Sequence, residues 1–225
     1  MLKKTKLLFA FALLSSLFVP IIIAFLNLNA VAFNQNFYIE EFKKYDVYSA
    51  LKGYDIEKIN QETIGFLQSK NNYLPMDFFS QREVQHLYDV RLIFQKIEML
   101  YILSIEIAMA FIIACLFFLR GIKKTAFYIA LSSLIGSIFT LLLSLVIFLS
   151  VRLNFSLSFD VFHNAFFSPG SYEFNPLKEK IVVLYPHALF YDAGAKITAN
   201  ALLTAVAVIT LSLMVIVHTT SKRYK

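Results

Sequence analysis

Two histidine–aspartate pairs are the groups in this sequence best suited to moving protons. His86-x-x-Asp89 and Asp160-x-x-His163 share one spacing in mirrored order. Residues three apart on a helix lie on the same face, so each carboxylate can hold its imidazole in one tautomer and stabilise the protonated ring. General acid–base catalysis uses this arrangement. The two pairs are therefore candidate catalytic groups.

Two other interpretations of the histidines stay open at this level. A histidine near a membrane surface can be an interfacial residue without chemistry, and this is the interpretation for His187 and His218. Histidine and aspartate are also common zinc ligands. The sequence contains no H-E-x-x-H motif and no obvious third ligand beside the pairs, which makes a zinc site the weaker of the chemical interpretations.

The elements that must position these pairs are membrane helices. Hydrophobic residues make up 58% of the 225 residues, against about 45–50% in soluble domains. Crossing a bilayer takes roughly 20 apolar residues, and four runs are long enough. The predicted fold class is an all-α integral membrane protein with four transmembrane helices in a single membrane domain, residues 1–225. The runs cover approximately residues 7–26, 97–119, 126–149 and 197–218.

The distribution of charge predicts the topology. All 15 acidic residues lie between Glu40 and Asp192, whereas three patches near the ends of the runs contain basic residues only. The positive-inside rule assigns such patches to the cytoplasm. We therefore expect a multi-pass cell-membrane protein with both termini cytoplasmic and with extracellular segments 27–96 and 150–196, which carry both histidine–aspartate pairs. The patches are Lys3, Lys4 and Lys6, then Arg120, Lys123 and Lys124, then Lys222, Arg223 and Lys225.

Local patterns predict two helices that begin before the second run. Ser80 and Glu83 have the spacing of a capping box, and no glycine or proline follows before Leu119. One long helix is therefore expected from residue 81 onward, with His86 on its second turn. The stretch "GYDIEKINQETIGFLQ" has apolar residues at helical spacing, which predicts an amphipathic helix.

Three features predict how the membrane helices pack. Pro20 should kink the first helix because it lacks the N–H that would bond to Ser16. An ionisable group within the apolar part of a helix costs about 2.5–3.5 kcal/mol, so Glu106 is expected to face the bundle interior or a polar cavity. Small residues recur every four positions in the third run, which favours close approach of another helix. They are Ser132, Gly136, Thr140 and Ser144.

The first run also resembles a secretory signal, with "KKTK" before it and "NAVAF" as a cleavage site after Ala32. A signal has an apolar stretch of about 7–15 residues, and this one approaches 20. A retained first helix is therefore expected.

Three stretches carry a resemblance to a known family. They are "FSQREVQHLYDVR" before the second run, "DVFHNAFF" after the third and "FNPLKEKIVVLYPHALF" before the fourth. With the patterns S-x-x-E-x-x-H-x-x-D-V and F-H-x-x-F-F, the chain resembles, over essentially its whole length, the lipoprotein intramolecular transacylases, four-helix membrane proteins of low-GC Gram-positive bacteria. The family commonly has a tryptophan after the second motif, whereas this chain has no tryptophan and Tyr172 takes that place.

The resemblance implies an acyltransferase acting on diacylglyceryl lipoproteins in contact with membrane lipids. The sn-2 acyl chain would move to the α-amine of the N-terminal cysteine and leave a lyso-form lipoprotein. Making an amide from an ester is downhill, so no cofactor, nucleotide or metal is implied. The phenylalanines around His163 would line a slot for acyl chains. The implied site residues are His86 and His163 as acid and base in either order, Asp89 and Asp160 as orienting groups, and Asn164 or Arg91 as oxyanion stabilisers.

Two other function classes stay open. A non-catalytic membrane scaffold or sensor would keep its function with alanine at both histidines. A lipid-ester hydrolase would use the same histidines with water as nucleophile, and would usually carry a G-x-S-x-G elbow, which is absent here. No phosphate loop or nucleic-acid signature is present, so nucleic acid is not an expected partner. The sequence does not indicate an oligomeric state.

Overall fold

The computed structural model describes residues 2–119 and 121–221, and all regular secondary structure within them is helical. The predicted cytoplasmic residues Arg120, Lys222, Arg223 and Lys225 lie outside the described residues. In chain order the helices are α1 Leu2–Ser16, α2 Val19–Ala32, α3 Gln35–Lys44, α4 Val47–Ala50, α5 Ile56–Leu67, α6 Gln81–Leu119, α7 Ile122–Leu153, α8 Phe155–Phe166, α9 Ile181–Leu184 and α10 His187–Thr220.

Four stretches of helix are long and apolar enough to cross a membrane. Each contains one of the predicted runs, so the all-α membrane fold with four spanning helices is confirmed. A bilayer core needs only about 20 residues of helix, so the 39 residues of α6 extend well beyond one crossing. The stretches are Lys6–Ala32, Gln81–Leu119, Ile122–Leu153 and His187–Thr220.

The described residues form two compact units. The first takes its residues from the ranges 1–27, 99–147 and 198–225, which contain most of the apolar runs. The second takes its residues from 28–98 and 148–197, which hold all four residues of the histidine–aspartate pairs. The candidate chemistry therefore lies within the second unit.

In the first unit, the small-residue stripe of α7 meets the break between α1 and α2. The helix is interrupted at residues 17–18, just before Pro20, as predicted from the missing N–H of the proline. The carbonyl oxygen of Ser16 and the side chain of Val19 lie so close to Gly136 that a Cβ built there would be 2.5 Å from each. Ser132, Thr140 and Ser144 are buried. The stripe therefore does admit a close neighbour, as predicted.

Replacing Gly136 with alanine is expected to destabilise the first unit. The added methyl group requires the backbone at Ser16 to move, and overpacking of this kind costs about 1–3 kcal/mol. Thermal unfolding in detergent should show a lower Tm. Gly194→Ala is the matched control, because its Cβ would lie 3.7 Å from Val151, an ordinary contact. Equal Tm values for the two variants would show that α7 and the Ser16 carbonyl are not in tight contact.

The prediction for Glu106 is wrong, because its side chain is exposed on the surface of the first unit. The buried side of α6 is defined by Ser104, Phe111 and Cys115. Their spacing of seven and four residues follows one helix face, and Glu106 is rotated about 200° from Ser104. The apolar composition around Glu106 indicated that this residue lies within the apolar part of the helix, but it did not indicate which side of the helix the side chain faces.

The second unit is held by a core of aromatic and aliphatic side chains, which come mainly from α3, α4, α5, α9, the loop before α6 and the first two turns of α6. Phe42, Phe66 and Leu184 are fully buried within it. The predicted amphipathic helix is α5, which begins after Asp55, whose side chain accepts from the Lys58 N–H. This core fixes the beginning of α6, where His86 lies.

The predicted capping box starts α6. The Ser80 N–H donates to Glu83 Oε2 at 2.6 Å, and the Glu83 N–H lies 3.4 Å from Ser80 Oγ. The other carboxylate oxygen, Oε1, accepts from the Ile181 N–H at 2.6 Å. Glu83 is only 1% exposed, so one buried carboxylate joins the first turns of α6 and α9.

Candidate active site

His86 lies on the second turn of α6 and packs between two phenylalanines of the second unit. Its ring centroid is 4.8 Å from that of Phe167 and 5.3 Å from that of Phe174. The Nδ1 atom is buried and has no hydrogen-bond partner among the described residues. A buried polar atom without a partner is uncommon in folded proteins and often marks a functional group.

His163 lies on α8, which begins after Asn154, whose Oδ1 accepts from the Leu157 N–H at 3.1 Å. The His163 ring centroid is 3.8 Å from that of Phe159 and 4.8 Å from that of Tyr172. Its Nδ1 is 2.8 Å from the Phe159 carbonyl oxygen. A carbonyl oxygen only accepts, so Nδ1 must carry the proton and the neutral ring keeps its lone pair on Nε2.

The structure brings the two histidines to one aromatic ring. Phe167 contacts His86 as described, and its centroid is 5.4 Å from that of His163 in a stacked geometry. Burial lowers the pKa of His163, and the charge of His187 lowers it further, while the Phe159 carbonyl and Asp160 act in the opposite direction. The neutral form of His163, the form able to accept a proton, is therefore favoured.

Neither aspartate makes a hydrogen bond to the histidine that it was expected to orient. Asp89 Oδ1 accepts from Gln85 Nε2 at 3.3 Å, and Asp160 is exposed, with no hydrogen bond to its side chain among the described residues. The atom of His163 that Asp160 would hold is taken by the Phe159 carbonyl, four residues before the histidine. Asp160 acts on His163 through its charge.

The two predicted oxyanion stabilisers have different surroundings. Asn164 is exposed, and its Oδ1 accepts from the Tyr172 hydroxyl at 2.9 Å, which leaves its amide N–H groups available as donors. Tyr172 thereby links Asn164 to the ring of His163. Arg91 donates to the loop after α5, at distances of 3.2 or 3.3 Å, and lies over the Phe66 ring at 4.6 Å. Its acceptors are Ser69 Oγ, the Asn71 carbonyl and Asn72 Oδ1.

Sequence reasoning did not find several neighbours of the pair. Phe174 contacts His86, Arg82 bonds to Glu179 across 97 residues of sequence, and His187 has its ring 4.7 Å from that of Phe159. His187 and Phe174 lie within one of the motifs quoted above, which is the signal that could have indicated them. No local pattern pairs Arg82 with Glu179, because their contact depends on the tertiary fold.

The arrangement is suited to proton transfer in an apolar setting. Two imidazoles flank one phenyl ring, and one of them has a fixed tautomer with Nε2 as acceptor. An imidazole pair can accept a proton from a nucleophile and deliver one to a leaving group. Within residues 2–119 and 121–221, no three His, Cys, Asp or Glu side chains gather as a metal site would require.

Comparison with known proteins identifies the family and supports the fold. The model of the family described as lipoprotein intramolecular transacylase Lit matches residues 13–190. A structure of the membrane-integral lipoprotein intramolecular transacylase Lit from Bacillus cereus has a TM-score of 0.80 at 23% identity, covering 100% of both chains. A structure of the same protein with a histidine replaced by arginine gives 0.77 at 21% identity, covering 98% of this chain and 96% of that one.

A third structure, with a histidine replaced by alanine, gives 0.77 at 22% identity, covering 99% of this chain and 98% of the other. No curated protein sequence matches the chain. The family match covers most of the chain, and the structural likeness extends over all of it. The protein therefore belongs to the lipoprotein intramolecular transacylase family, Lit, and is a membrane-integral acyltransferase.

Proposed function

We propose that this protein moves the sn-2 acyl chain of a diacylglyceryl lipoprotein to the α-amine of its N-terminal cysteine. The product is a lyso-form lipoprotein with an N-acylated terminus. The observation that carries the proposal is the placement of His86 and His163 on either side of Phe167, with Nε2 of His163 left as a proton acceptor. Membership of the Lit family supports the substrate class.

In the proposed reaction His163 is the base and His86 is the acid. Nε2 of His163 accepts an N–H proton from the neutral α-amine as the amine nitrogen attacks the sn-2 ester carbonyl. The C–N bond forms, the bond between the carbonyl carbon and the glyceryl oxygen breaks, and His86 delivers a proton to that oxygen. The proton that His163 took from the amine replaces the one that His86 gave up, so the reaction consumes and releases no net proton. Donor and acceptor belong to one molecule, so the enzyme mainly has to hold the head group in attack geometry.

The oxyanion formed during attack needs donors near the two rings. Asn164 suits this role better than Arg91, because its amide N–H groups are available while Arg91 is engaged by the loop after α5. An exposed apolar set on α8 provides a surface for the acyl chains of the substrate. It consists of Leu157, Val161, Phe162 and Phe166.

The proposed location of the site is the extracellular face of the cell membrane. Segments 27–96 and 150–196 would lie outside in a single membrane domain, because the basic patches assign both termini to the cytoplasm. In the proposed reaction, the diacylglyceryl group of the substrate lies on this side of the membrane. The reaction needs no cofactor, since the ester supplies the driving force.

The experiment that tests the proposal is mass spectrometry of a reporter lipoprotein. The reporter is expressed in a bacterium without its own N-acylating enzyme, with this gene or with an empty vector. We expect its N-terminal peptide to gain an N-acyl group and lose one glyceryl acyl group, with the total acyl count unchanged. Tandem fragmentation distinguishes the amide from the esters.

Two outcomes would overturn the proposal. Loss of one acyl chain without N-acylation would indicate a lipid-ester hydrolase. An unchanged diacylglyceryl peptide, with the protein shown to be present in the membrane, would indicate a scaffold or sensor.

A further inference from the structure

Segment 167–181, the chain from the end of α8 to the start of α9, covers both candidate histidines. Phe167 contacts both imidazoles, and Phe174 contacts His86 alone. Tyr172 packs on His163. Residues 168–180 form no helix. Phe167 is still held by α8, because its N–H donates to the His163 carbonyl oxygen at 2.8 Å, but no helical hydrogen bond fixes the position of the Tyr172 and Phe174 rings. The position of these two rings depends on turns within the segment and on contacts with other elements.

Arg82, on the first turn of α6, makes several of those contacts. Its Nη1 donates to Glu179 Oε1 at 2.7 Å. Its Nη2 donates to the carbonyl oxygens of Gly170 at 2.6 Å and Glu173 at 2.5 Å. The guanidinium also lies over the Phe174 ring at 4.9 Å. One side chain therefore reaches three points of segment 167–181 and the ring that covers His86.

Two buried carboxylates complete the attachment. Glu179 Oε2 accepts from the Asn175 N–H at 2.6 Å, which closes a turn within the segment. Glu83, next to Arg82 in the chain, accepts from the Ile181 N–H. Both carboxylates are nearly inaccessible, at 9% for Glu179 and 1% for Glu83. Two adjacent residues, one helical turn before His86, thus hold the segment at several places along its length.

We propose that Arg82 and Glu179 form a clasp that positions segment 167–181, so that Phe167 and Phe174 hold the two histidines in a dry, fixed arrangement. The inference rests on the proposed function, because it concerns the geometry of that acyl-transfer site. Both members of the clasp are positioning residues, since they act through the rings they place. Loosening the clasp would admit water and let His86 and His163 reorient.

The chemistry of the clasp requires arginine. A guanidinium presents five donors in a planar fork, which can bond to a carboxylate and two carbonyl oxygens at once and still stack on a ring. Lysine keeps the positive charge but places it as a point on a flexible chain. Arg82→Lys therefore removes the fork while keeping a positive charge at this position, and Glu179→Gln removes the ionic acceptor while keeping its shape.

The test measures kcat, KM and the pH–rate profile on a synthetic diacylated lipopeptide for the full-length protein in detergent. We expect kcat to fall on the order of tenfold in Arg82→Lys and Glu179→Gln, because small misplacements of catalytic groups are costly. KM should stay within about twofold, since the acyl surface of α8 is untouched. Glu40→Gln is the matched control, because Glu40 is exposed and bonds to nothing through its side chain among the described residues.

The pH–rate profile separates positioning from general stability. Burial holds the pKa of His163 below its ordinary value, so wetting the site should raise it and move the acid limb of the profile to higher pH. The charged or titratable groups around His163 are Asp160, His187 and, across Phe167, His86, and neither variant changes any of the three. The clasp would be overturned if kcat and the acid limb of the pH–rate profile were both unchanged in the variants. It would also be overturned if activity fell only because Tm fell, with the acid limb at the same pH as in the wild-type protein. A wild-type protein without N-acylation would instead defeat the proposed function.

Discussion

Replacing His163 with asparagine is expected to remove most acyl transfer while the fold is kept. The asparagine amide nitrogen can take the place of Nδ1 and donate to the Phe159 carbonyl, as the ring does at 2.8 Å. It supplies nothing in the place of Nε2. Acid–base groups contribute about 100- to 10,000-fold to rates, and kcat should fall by that range. The readout is N-acylation of a synthetic diacylated lipopeptide, followed by mass spectrometry.

A neighbouring histidine provides the control for this prediction. His187 has its ring 4.7 Å from that of Phe159, yet it makes no hydrogen bond to a carbonyl among the described residues that would fix its tautomer. His187→Asn should keep most activity at neutral pH. If His187→Asn were as inactive as His163→Asn, the base would not be His163.

The rate should also depend on pH in a direction set by burial. His163 must be neutral to accept a proton, and burial with the nearby His187 lowers its pKa below the ordinary value. Activity should therefore persist below the pH of about 6.5 at which an exposed histidine titrates, and fall only as the pH drops through the lowered pKa. Asp160→Asn should move this acid limb to still lower pH, because the carboxylate favours the protonated ring. A limb that moved upward in Asp160→Asn would contradict the assignment.

The membrane architecture could be predicted from sequence because it depends on local composition. A spanning helix must satisfy its backbone within itself and present apolar side chains to lipid, so each crossing is visible as a run. The capping box at Ser80 and Glu83 and the small residues around Gly136 are equally local signals. Each concerns residues within a few helical turns, where the geometry is already fixed.

The directions of side chains could be predicted only in part. Spacing placed Asp160 and His163 on one face, but helical side chains point toward the N-terminus, where the Phe159 carbonyl lies nearer to the ring. The same holds for Glu106, because the sequence shows that it lies within an apolar run but does not show which face of the helix it occupies. In a helix that is apolar all round, the sequence does not indicate which side finds a partner.

Contacts between distant segments could not be predicted at all. Arg82 and Glu179 are 97 residues apart, and nothing near either one indicates the other. The meeting of His86 and His163 at Phe167 is of the same kind. The sequence indicated two histidines with matching neighbours, while the aromatic ring between them depends on the path of segment 167–181.

Replacing His86 with phenylalanine is expected to change activity and stability in opposite directions. Nδ1 of His86 is buried with no partner among the described residues, and an unsatisfied buried polar atom costs about 1–3 kcal/mol. A phenyl ring between Phe167 and Phe174 carries no such atom. The free energy of unfolding should therefore rise by about 1 kcal/mol, while kcat falls at least about 100-fold because the proton donor is lost.

Both quantities are measured on one preparation, by thermal unfolding in detergent and by lipopeptide N-acylation. His218→Phe is the matched control, because His218 is exposed and lies in the first unit. It should change neither quantity. His86→Gln is the second variant, which keeps a polar group in the pocket and should lose activity without gaining stability.

The opposite signs are what distinguish a catalytic from a structural histidine here. A histidine retained for packing would lose stability on replacement, and activity would fall only as far as the folded fraction falls. A histidine retained for proton transfer keeps an unpaired buried nitrogen at a cost to the fold, because the substrate supplies its partner during the reaction. A His86→Phe protein that was both active and more stable would leave His163 without an acid, and the leaving oxygen would then have to take its proton from the same imidazole that removed it from the amine.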